Sequence, residues 1–576
     1  MGLRNPFRFD VDASGLVYVG DYSPDSRVPS ATRGPEGTGR WFATKTAGNY
    51  GWPYCYSPSL PYIDFDFVTR TSGQPFNCGA PVNNSPRNTG RSVLPAVQQP
   101  QLWYTYNALT PCPGAYLSNP PTACDFKWPV LGTGGVGPHG GPIYKYDSEL
   151  DSATKLPEYY NDAVFFGEFT RDKMFVMQTD GKGNLTGVEQ FLPGFVFDNL
   201  MEMEIGPEGN IYFLEYGDGF FRANPDAQLA MIRYVKGTRS PIAKLVATPT
   251  SGQAPLTVNF SSAGTYDPDP GESISYAWDF TSDGTVDSAD PNPSFTYTTN
   301  GVFAAKLTVT DSTGKTAVLT REIVVGNTAP IVTVTTPVSG TFFNWGDTIP
   351  YTVSVTDPED GAIDCSRVNV SFILGHDTHG HEMTATTGCS GTLPSPADGA
   401  DHAGGYLYGG ISASYTDLGG NGQPALTTVG QAVIQLRQQQ AEFAQVQQGV
   451  TLANTNDTGG GQHVTGVDAG DHIAFDPVNL GGVSTVTFRY ASGGNATAGT
   501  PRATVELRAG SPTGPVVATA TLNATSGTNS WASQSVPVSY PAGTQRLYLV
   551  FGAVSGGPTT ALVNLNWVQF SGSSGA

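Results

Sequence analysis

Residues Phe9 to Tyr22, FDVDASGLVYVGDY, align without a gap to Met203 to Tyr216, MEIGPEGNIYFLEY. Each copy reads as an apolar strand, a turn carrying Gly, and an alternating strand that ends in an acid and a Tyr. Such a unit is a β-hairpin, and a hairpin recurring along one chain marks a radially repeated, all-β architecture. The copies lie 194 residues apart, room for about four propeller blades at roughly 40–50 residues each. Residues 1–237 are therefore expected to hold about four blades. A propeller closes by pairing its first and last blades, so an incomplete one is expected to leave an edge open to self-association.

Composition supports that class. The chain has 576 residues, enough for about three to five domains. Charged residues make up only 14%, with 71 Gly and 44 Pro, and long helical periodicity is nearly absent, so strands joined by turns are expected throughout. The net charge of −20 repels phosphate backbones and anionic bilayers, which argues against a nucleic-acid or membrane-surface partner and leaves neutral ligands such as sugars. No run of about 18 apolar residues exists, so no helix of this sequence spans a bilayer. The six Cys fall into neighbouring couples, Cys55 with Cys78, Cys112 with Cys124 and Cys365 with Cys389. None has the C-x-x-C spacing of a zinc site; three local disulfides in an oxidising, extracellular compartment are expected. No signal peptide opens the chain, so secretion would place that signal upstream of Met1.

The opening Gly2-Leu3-Arg4-Asn5-Pro6-Phe7, followed by Gly48-Asn49-Tyr50-Gly51-Trp52-Pro53, resembles the soluble glucose/sorbosone dehydrogenases that use pyrroloquinoline quinone (PQQ). The resemblance implies a six-bladed propeller of which this chain holds the C-terminal part, because the family motif lies mid-propeller. It implies that Arg4 and Asn5 face the quinone, that Arg171 matches the Arg of a late-blade Lys-Arg pair whose Lys is Thr170 here, and that Asp21, Ser23 and Pro24 supply a Ca²⁺ site, with Ser23 where the family has Gly. Two departures accompany it. Asp198-Asn199-Leu200-Met201-Glu202 replaces the Arg pair that faces the cofactor carboxylates, and the family's catalytic His precedes the Arg-Asn motif. His139, in Gly137-Pro138-His139-Gly140-Gly141, is expected to be a solvated turn residue or to line the central mouth. A quinone needs cationic donors, a hard cation and a base, so this chain alone is expected not to turn over sugar.

Beyond Gly237 the texture changes. Residues 242–326 resemble a PKD domain, on Ala254-Pro255-Leu256, Tyr276-Ala277-Trp278-Asp279-Phe280, Tyr297, Gly301-Val302-Phe303 and Leu307-Thr308-Val309-Thr310-Asp311. Trp278 alternates with Tyr276 and Phe280 and is expected in the core. Asp279, Thr281, Asp283, Gly284 and Asp287 read either as a calcium loop or as a plain turn. Residues 329–436 read as a second, Ig-like or cadherin-like sandwich, whose His376, His379 and His381, with Asp401-His402 downstream, form either a transition-metal cluster or a polar loop beside a disulfide. Arg437 to Gln448 is Gln-rich and is expected to be a linker or one helical turn.

Residues 441–571 resemble a family-6 carbohydrate-binding module, on Ala441-Glu442, Val467-Asp468-Ala469-Gly470-Asp471-His472-Ile473, Val486-Thr487-Phe488-Arg489-Tyr490, Ala542 to Leu549 and Asn564-Leu565-Asn566-Trp567. The resemblance implies sugar contacts from Asn564, His472 and Trp531, with Thr528 where the family has a second Trp, and a structural Ca²⁺ on Glu442 and Asn566. The expected fold is thus all-β, a partial propeller of the six-bladed type followed by three β-sandwiches. The expected function is a secreted carbohydrate-active protein, either a dehydrogenase-like propeller targeted to a polysaccharide or glycan, or a non-catalytic binding protein on a propeller scaffold.

Overall fold

The computed structural model describes residues 1–22, 24, 26–27, 29–106, 110–111, 123–124, 128–180, 182–217, 224, 226–376, 379–399, 405–458, 461–493, 497–540 and 543–572. Among the described residues, regular structure is almost entirely β, broken only by short 3-10 turns, and no sheet closes into a barrel. The chain divides into two compact units, the first ending at Lys236 and the second taking up at Gly237.

The described residues of the first unit form three antiparallel meanders. One runs Phe9–Val11, Val17–Asp21, Thr38–Thr44, Leu102–Thr105; the next Pro138–Ile143, Val164–Glu168, Lys173–Thr179, Leu185–Phe191; the last Leu200–Ile205, Ile211–Glu215, Gln228–Ile232. The repeated segments form hairpins of identical register: Phe9 pairs Val19 and Val11 pairs Val17, as Met203 pairs Phe213 and Ile205 pairs Ile211. The described residues give three blade-like sheets where four were expected. The spacing of the repeat includes a long excursion between Thr44 and Leu102, made of two small hairpins and closed by the Cys55–Cys78 disulfide.

The middle sheet is covered on both faces, which accounts for the unbroken apolar run Val164-Phe165-Phe166. Phe166 meets Trp41 of the first sheet at 5.4 Å, whereas Phe165 belongs to the cluster of Met203, Ile211 and Phe213 from the third. On the far face of the third sheet Leu214, Leu229 and Met231 are exposed.

Each meander ends its second strand in a buried acid: Asp21, Glu168 and Glu215. Asp21 accepts the backbone amides of Arg4 and Asn5, both at 2.9 Å, and pairs with the buried Arg40. Glu168 accepts the amides of Gly137 and Thr170 and the Tyr104 hydroxyl. Glu215 accepts the Asp198 amide at 2.9 Å and the Gln228 amide group at 2.6 Å. In each sheet the acid thus ties down the segment leading into the first strand, so its desolvation is offset by amide donors and by a cation or polar side chain.

The second unit begins with the sandwich over the PKD-like sequence, where the buried Trp278 lies 5.9 Å from Phe280 and donates its indole N–H to the Asp290 carbonyl at 2.8 Å. The next sandwich pairs Ile331–Thr336, Thr348–Thr356 and Ser390–Pro394 over a five-stranded sheet ending in the hairpin Asn369–His376/His379–Thr387, with Cys365–Cys389 bonded. Cys112 lies outside the described residues. The last sandwich packs two sheets around Val486, Phe488, Tyr490, Leu547, Leu549, Leu565 and Val568. Gln438–Gln440, in the stretch expected as a linker or helical turn, instead joins its sheet, with Gln439 opposite Val568. Phe342 of the preceding sandwich inserts into this core and stacks on Phe570 at 4.6 Å.

Because Arg40 is buried against Asp21, Asp21→Ala leaves a desolvated guanidinium without its counter-charge. The expected cost is about 3–5 kcal/mol, measurable by urea unfolding; a loss below about 1 kcal/mol would contradict the anchoring role.

Candidate functional site

In the last sandwich the strand Val483–Ser492 lies between Gly527–Pro537 and Asn564–Gly572. Alternation sends Val486, Phe488 and Tyr490 to the core and Arg489 to the outer face. Pairing is irregular on both flanks of Tyr490. Toward the last strand, Arg489 pairs Trp567 and Tyr490 pairs Leu565, which leaves Asn566 as the extra residue of a bulge. Toward the other neighbour, Tyr490 pairs Ala532 and Ser492 pairs Gly527, so residues 528–531 leave the ladder and end at Trp531.

The bulged Asn566 is fully buried and donates its amide N–H to Asp457 Oδ2 at 3.0 Å. Arg489 grips the same carboxylate at both oxygens, at 2.7 and 2.6 Å, and so holds the Asp457 carboxyl below its ordinary pKa. Asn566 Oδ1 is left buried with no donor. Glu442 stands on the 3-10 turn Ala441–Phe443, which packs against the strand of Asn566. Its Oε1 accepts the Gln462 amide at 3.2 Å, but its Oε2 is buried without a partner. Desolvation raises its pKa above the ordinary value. Two unpartnered buried oxygens, one on a carboxylate, are the donor chemistry a hard cation takes, so the residues present fit the calcium expected at Glu442 and Asn566.

Next to this cluster lies the half-buried Trp531. Its indole N–H donates to Asn456 Oδ1 at 2.7 Å, and its ring meets the buried His463 edge-on at 5.2 Å. Burial lowers the pKa of His463, which favours the neutral ring. Asn564, at the start of the last strand, accepts from the Thr465 hydroxyl at 2.7 Å and donates to the Thr528 carbonyl at 3.0 Å. Asn564 is thereby tied to the segment that carries Trp531. His472 stands in the other sheet, opposite Val550, with its ring 5.7 Å from Tyr548, so the structure does not group it with Trp531 and Asn564. Asn456, Asp457, His463, Thr465 and Arg489 were not singled out from the sequence. An Arg at an outward position of an apolar strand marks the face, but nothing local names the carboxylate that crosses it.

In the first unit, Arg4 lies 5.7 and 5.8 Å from the ring centroids of Tyr22 and Trp52, and the backbone N–H of its neighbour Asn5 donates to Asp21. Asp21 is already committed to Arg40 and to backbone amides, and the Pro24 carbonyl accepts the Ser26 amide at 3.0 Å. Ser23 lies outside the described residues. Arg171 is buried, and its guanidinium donates to the carbonyls of Thr105, Leu131, Gly132 and Gly135. Arg8 pairs with Glu202, and the Asn199 side chain donates to the Phe169 carbonyl at 2.7 Å. His139 proves to be a buried strand residue, not a solvated one, packed 4.4 Å from Phe7 and 5.5 Å from Phe169, and burial pushes its pKa down to about 3. A tricarboxylate needs several cations with donors to spare; Arg171 and Arg40 are spent on carbonyls and Asp21, and Arg8 is paired with Glu202, which leaves Arg4 alone of this set to face it. The residues present do not fit the quinone.

Asp279 accepts the Gly284 amide at 3.0 Å and lies 3.2 Å from Lys306 Nζ, while Asp287 accepts the Phe280 amide; this stretch is a self-satisfied turn. His376 and His381 come together at the tip of their hairpin, whereas Asp401 and His402 lie outside the described residues.

Comparison with known families and proteins identifies two modules. Residues 238–325 match the family model of the PKD domain and residues 440–572 that of the carbohydrate binding module (family 6), so the chain carries both. Over 139 residues it is 30% identical to an arabinoxylan arabinofuranohydrolase of Paenibacillus polymyxa, a match covering 24% of this chain and 21% of that protein. The chain thus spans about a fifth of that relative's length. Among solved structures it is similar to a β-1,3-glucan binding CBM6 from Bacillus halodurans, at 30% identity, covering 23% of this chain and 93% of that one, with a TM-score of 0.21. A family-6 module from Clostridium cellulolyticum in complex with xylose gives 30% identity, 23% and 95% coverage and a TM-score of 0.20.

The raised Glu442 pKa fixes a sign. A carboxyl whose folded pKa exceeds its unfolded value of about 4.5 binds more protons in the folded state, so stability is present below that value and is lost as pH rises through the folded pKa. In a chelator, thermal unfolding is expected to shift to lower temperature as pH climbs from about 4 to 7, and Glu442→Gln is expected to flatten that slope. An unchanged slope in Glu442→Gln would show that the orphaned carboxylate is not its source.

Proposed function

We propose that this protein is an extracellular, modular polysaccharide-binding protein whose C-terminal sandwich holds the sugar beside Trp531 and Asn564. The observation that carries the reading is the fixed orientation of Trp531. Asn456 takes its N–H and His463 its edge, which leaves the half-exposed indole as a platform beside the amide of Asn564. Stacking on an aromatic ring together with amide contacts to hydroxyls is how neutral sugars are recognised. The match of residues 440–572 to the family-6 carbohydrate-binding model, and its likeness to modules that bind β-1,3-glucan or xylose, support a neutral glycan as ligand. Disulfides and the acidic surface suit an extracellular setting.

Ca²⁺ enters this reading as a structural ion held by Glu442 and Asn566, where it would neutralise the buried carboxylate and fix the turn that leads into the site. The first unit enters as a scaffold: the sugar oxidation implied by its opening motif is not carried by the side chains it would require. The PKD domain and the sandwich after it serve as spacers.

Trp531→Ala is expected to weaken binding to soluble β-glucan or xylan oligosaccharides by about tenfold or more, and Asn564→Ala by a smaller factor, as read by calorimetry on the full chain. Affinity unchanged in Trp531→Ala would contradict this placement. Addition of the quinone with Ca²⁺ is expected to give no glucose-dependent dye reduction; turnover would overturn the scaffold reading.

A further inference from the structure

The hairpin Asn369–His376/His379–Thr387 carries three His within six positions. Its register sets His376 opposite His379 and Leu374 opposite His381. Residues directly opposite in an antiparallel pair share a face, and Phe372 and Leu374 on that face belong to the sandwich core. Positions 376 and 381 therefore lie on the core-side face, at the end of its apolar run. The Cys365–Cys389 disulfide closes the far end of the same hairpin, so the tip extends from a braced base.

His376 is 3% exposed. A position this buried, in line with Phe372 and Leu374, would ordinarily continue the core with an apolar side chain; here it is an imidazole facing a second one. The two rings are stacked, with centroids 5.2 Å apart and planes inclined by 22°, and their Nε2 atoms are 3.1 Å apart. Two nitrogens each about 2.0–2.1 Å from a tetrahedral zinc ion stand about 3.3 Å from each other, so the observed spacing needs only a few tenths of an ångström of adjustment to bracket an ion.

We propose that the tip of this hairpin is a transition-metal site, with His376 and His381 as ligands through Nε2. Neutral imidazole suits borderline divalent ions such as Zn²⁺ or Cu²⁺ and disfavours Ca²⁺, whose ligands are oxygens. The site is therefore chemically distinct from the one at Glu442 and Asn566 and independent of sugar binding. Its effect is to lock two adjacent strands at the open end of the sandwich, as the disulfide does at the other.

The test uses the full chain stripped with a chelator and titrated with Zn²⁺ in the presence of millimolar Ca²⁺. The expected result is one equivalent of zinc bound with a dissociation constant on the order of micromolar or tighter. His376→Ala and His381→Ala should each weaken it at least about tenfold, and His472→Ala should leave it unchanged. X-ray absorption of the zinc-loaded wild type, which does not depend on the variants folding, is expected to show imidazole nitrogens at about 2.0 Å. No zinc uptake by the wild type, uptake that survives both substitutions, or an absorption spectrum without imidazole scattering would each overturn the proposal and leave an ordinary hydrogen bond between two His rings.

Discussion

Two interruptions of regular pairing, one on each side of Tyr490, determine what the C-terminal sandwich can do. An uninterrupted antiparallel ladder alternates strictly, so the sequence around Asn566 would send every second side chain inward and leave its neighbours flat on the surface. The extra residue opposite Arg489 and Tyr490 breaks that alternation and buries an amide where Asp457 and Arg489 meet. The excursion of residues 528–531 lifts Trp531 off the ladder toward Asn456 and His463. Bulges of this kind re-aim side chains at a small cost in ladder hydrogen bonds; here both re-aim side chains onto the same outer face.

The treatment of buried acids separates scaffold from site. Asp21, Glu168 and Glu215 each sit at the end of a second strand, and each is surrounded by amide donors with a cation or polar group beside them. Asp457 is likewise satisfied, by Arg489 and Asn566. Glu442 differs: one of its oxygens is buried without any donor, a state that costs a carboxylate heavily unless a cation supplies the missing charge. Asp311 and Asp357 also keep one unpartnered buried oxygen; what marks Glu442 is a second such oxygen, Asn566 Oδ1, on the strand against which its turn packs.

The all-β class was legible because its signals are local. The duplicated FDVDASGLVYVGDY and MEIGPEGNIYFLEY specify a hairpin by alternation and a turn Gly, and the structure reproduces the same register in both. Trp278 followed from alternation alone. The spacing of that repeat was less informative, because it also takes in the disulfide-closed excursion between Thr44 and Leu102. Site residues divide the same way. Asn564, Trp531, Glu442 and Asn566 stood out by resemblance and fall on one sheet or on the turn packed against it, whereas His472 is in the other sheet. Asp457 and Arg489 are 32 residues apart and belong together only through the crossing of a loop over a sheet, which no local pattern announces. Arg171 shows the reverse: its place in sequence suggested a cofactor contact, and its carbonyl partners make it a structural clamp.

The central claim is that sugar meets the sheet of Trp531 and Asn564 and not the opposite sheet of His472. Titrating the isotope-labelled protein with a soluble β-glucan or xylan oligosaccharide while following the Trp indole and Asn side-chain amide resonances measures this directly. The Trp531 indole N–H and the Asn564 amide are expected to shift most, with His472 and Tyr548 unmoved. Shifts centred on His472 and Tyr548, or none at saturating sugar, would contradict it.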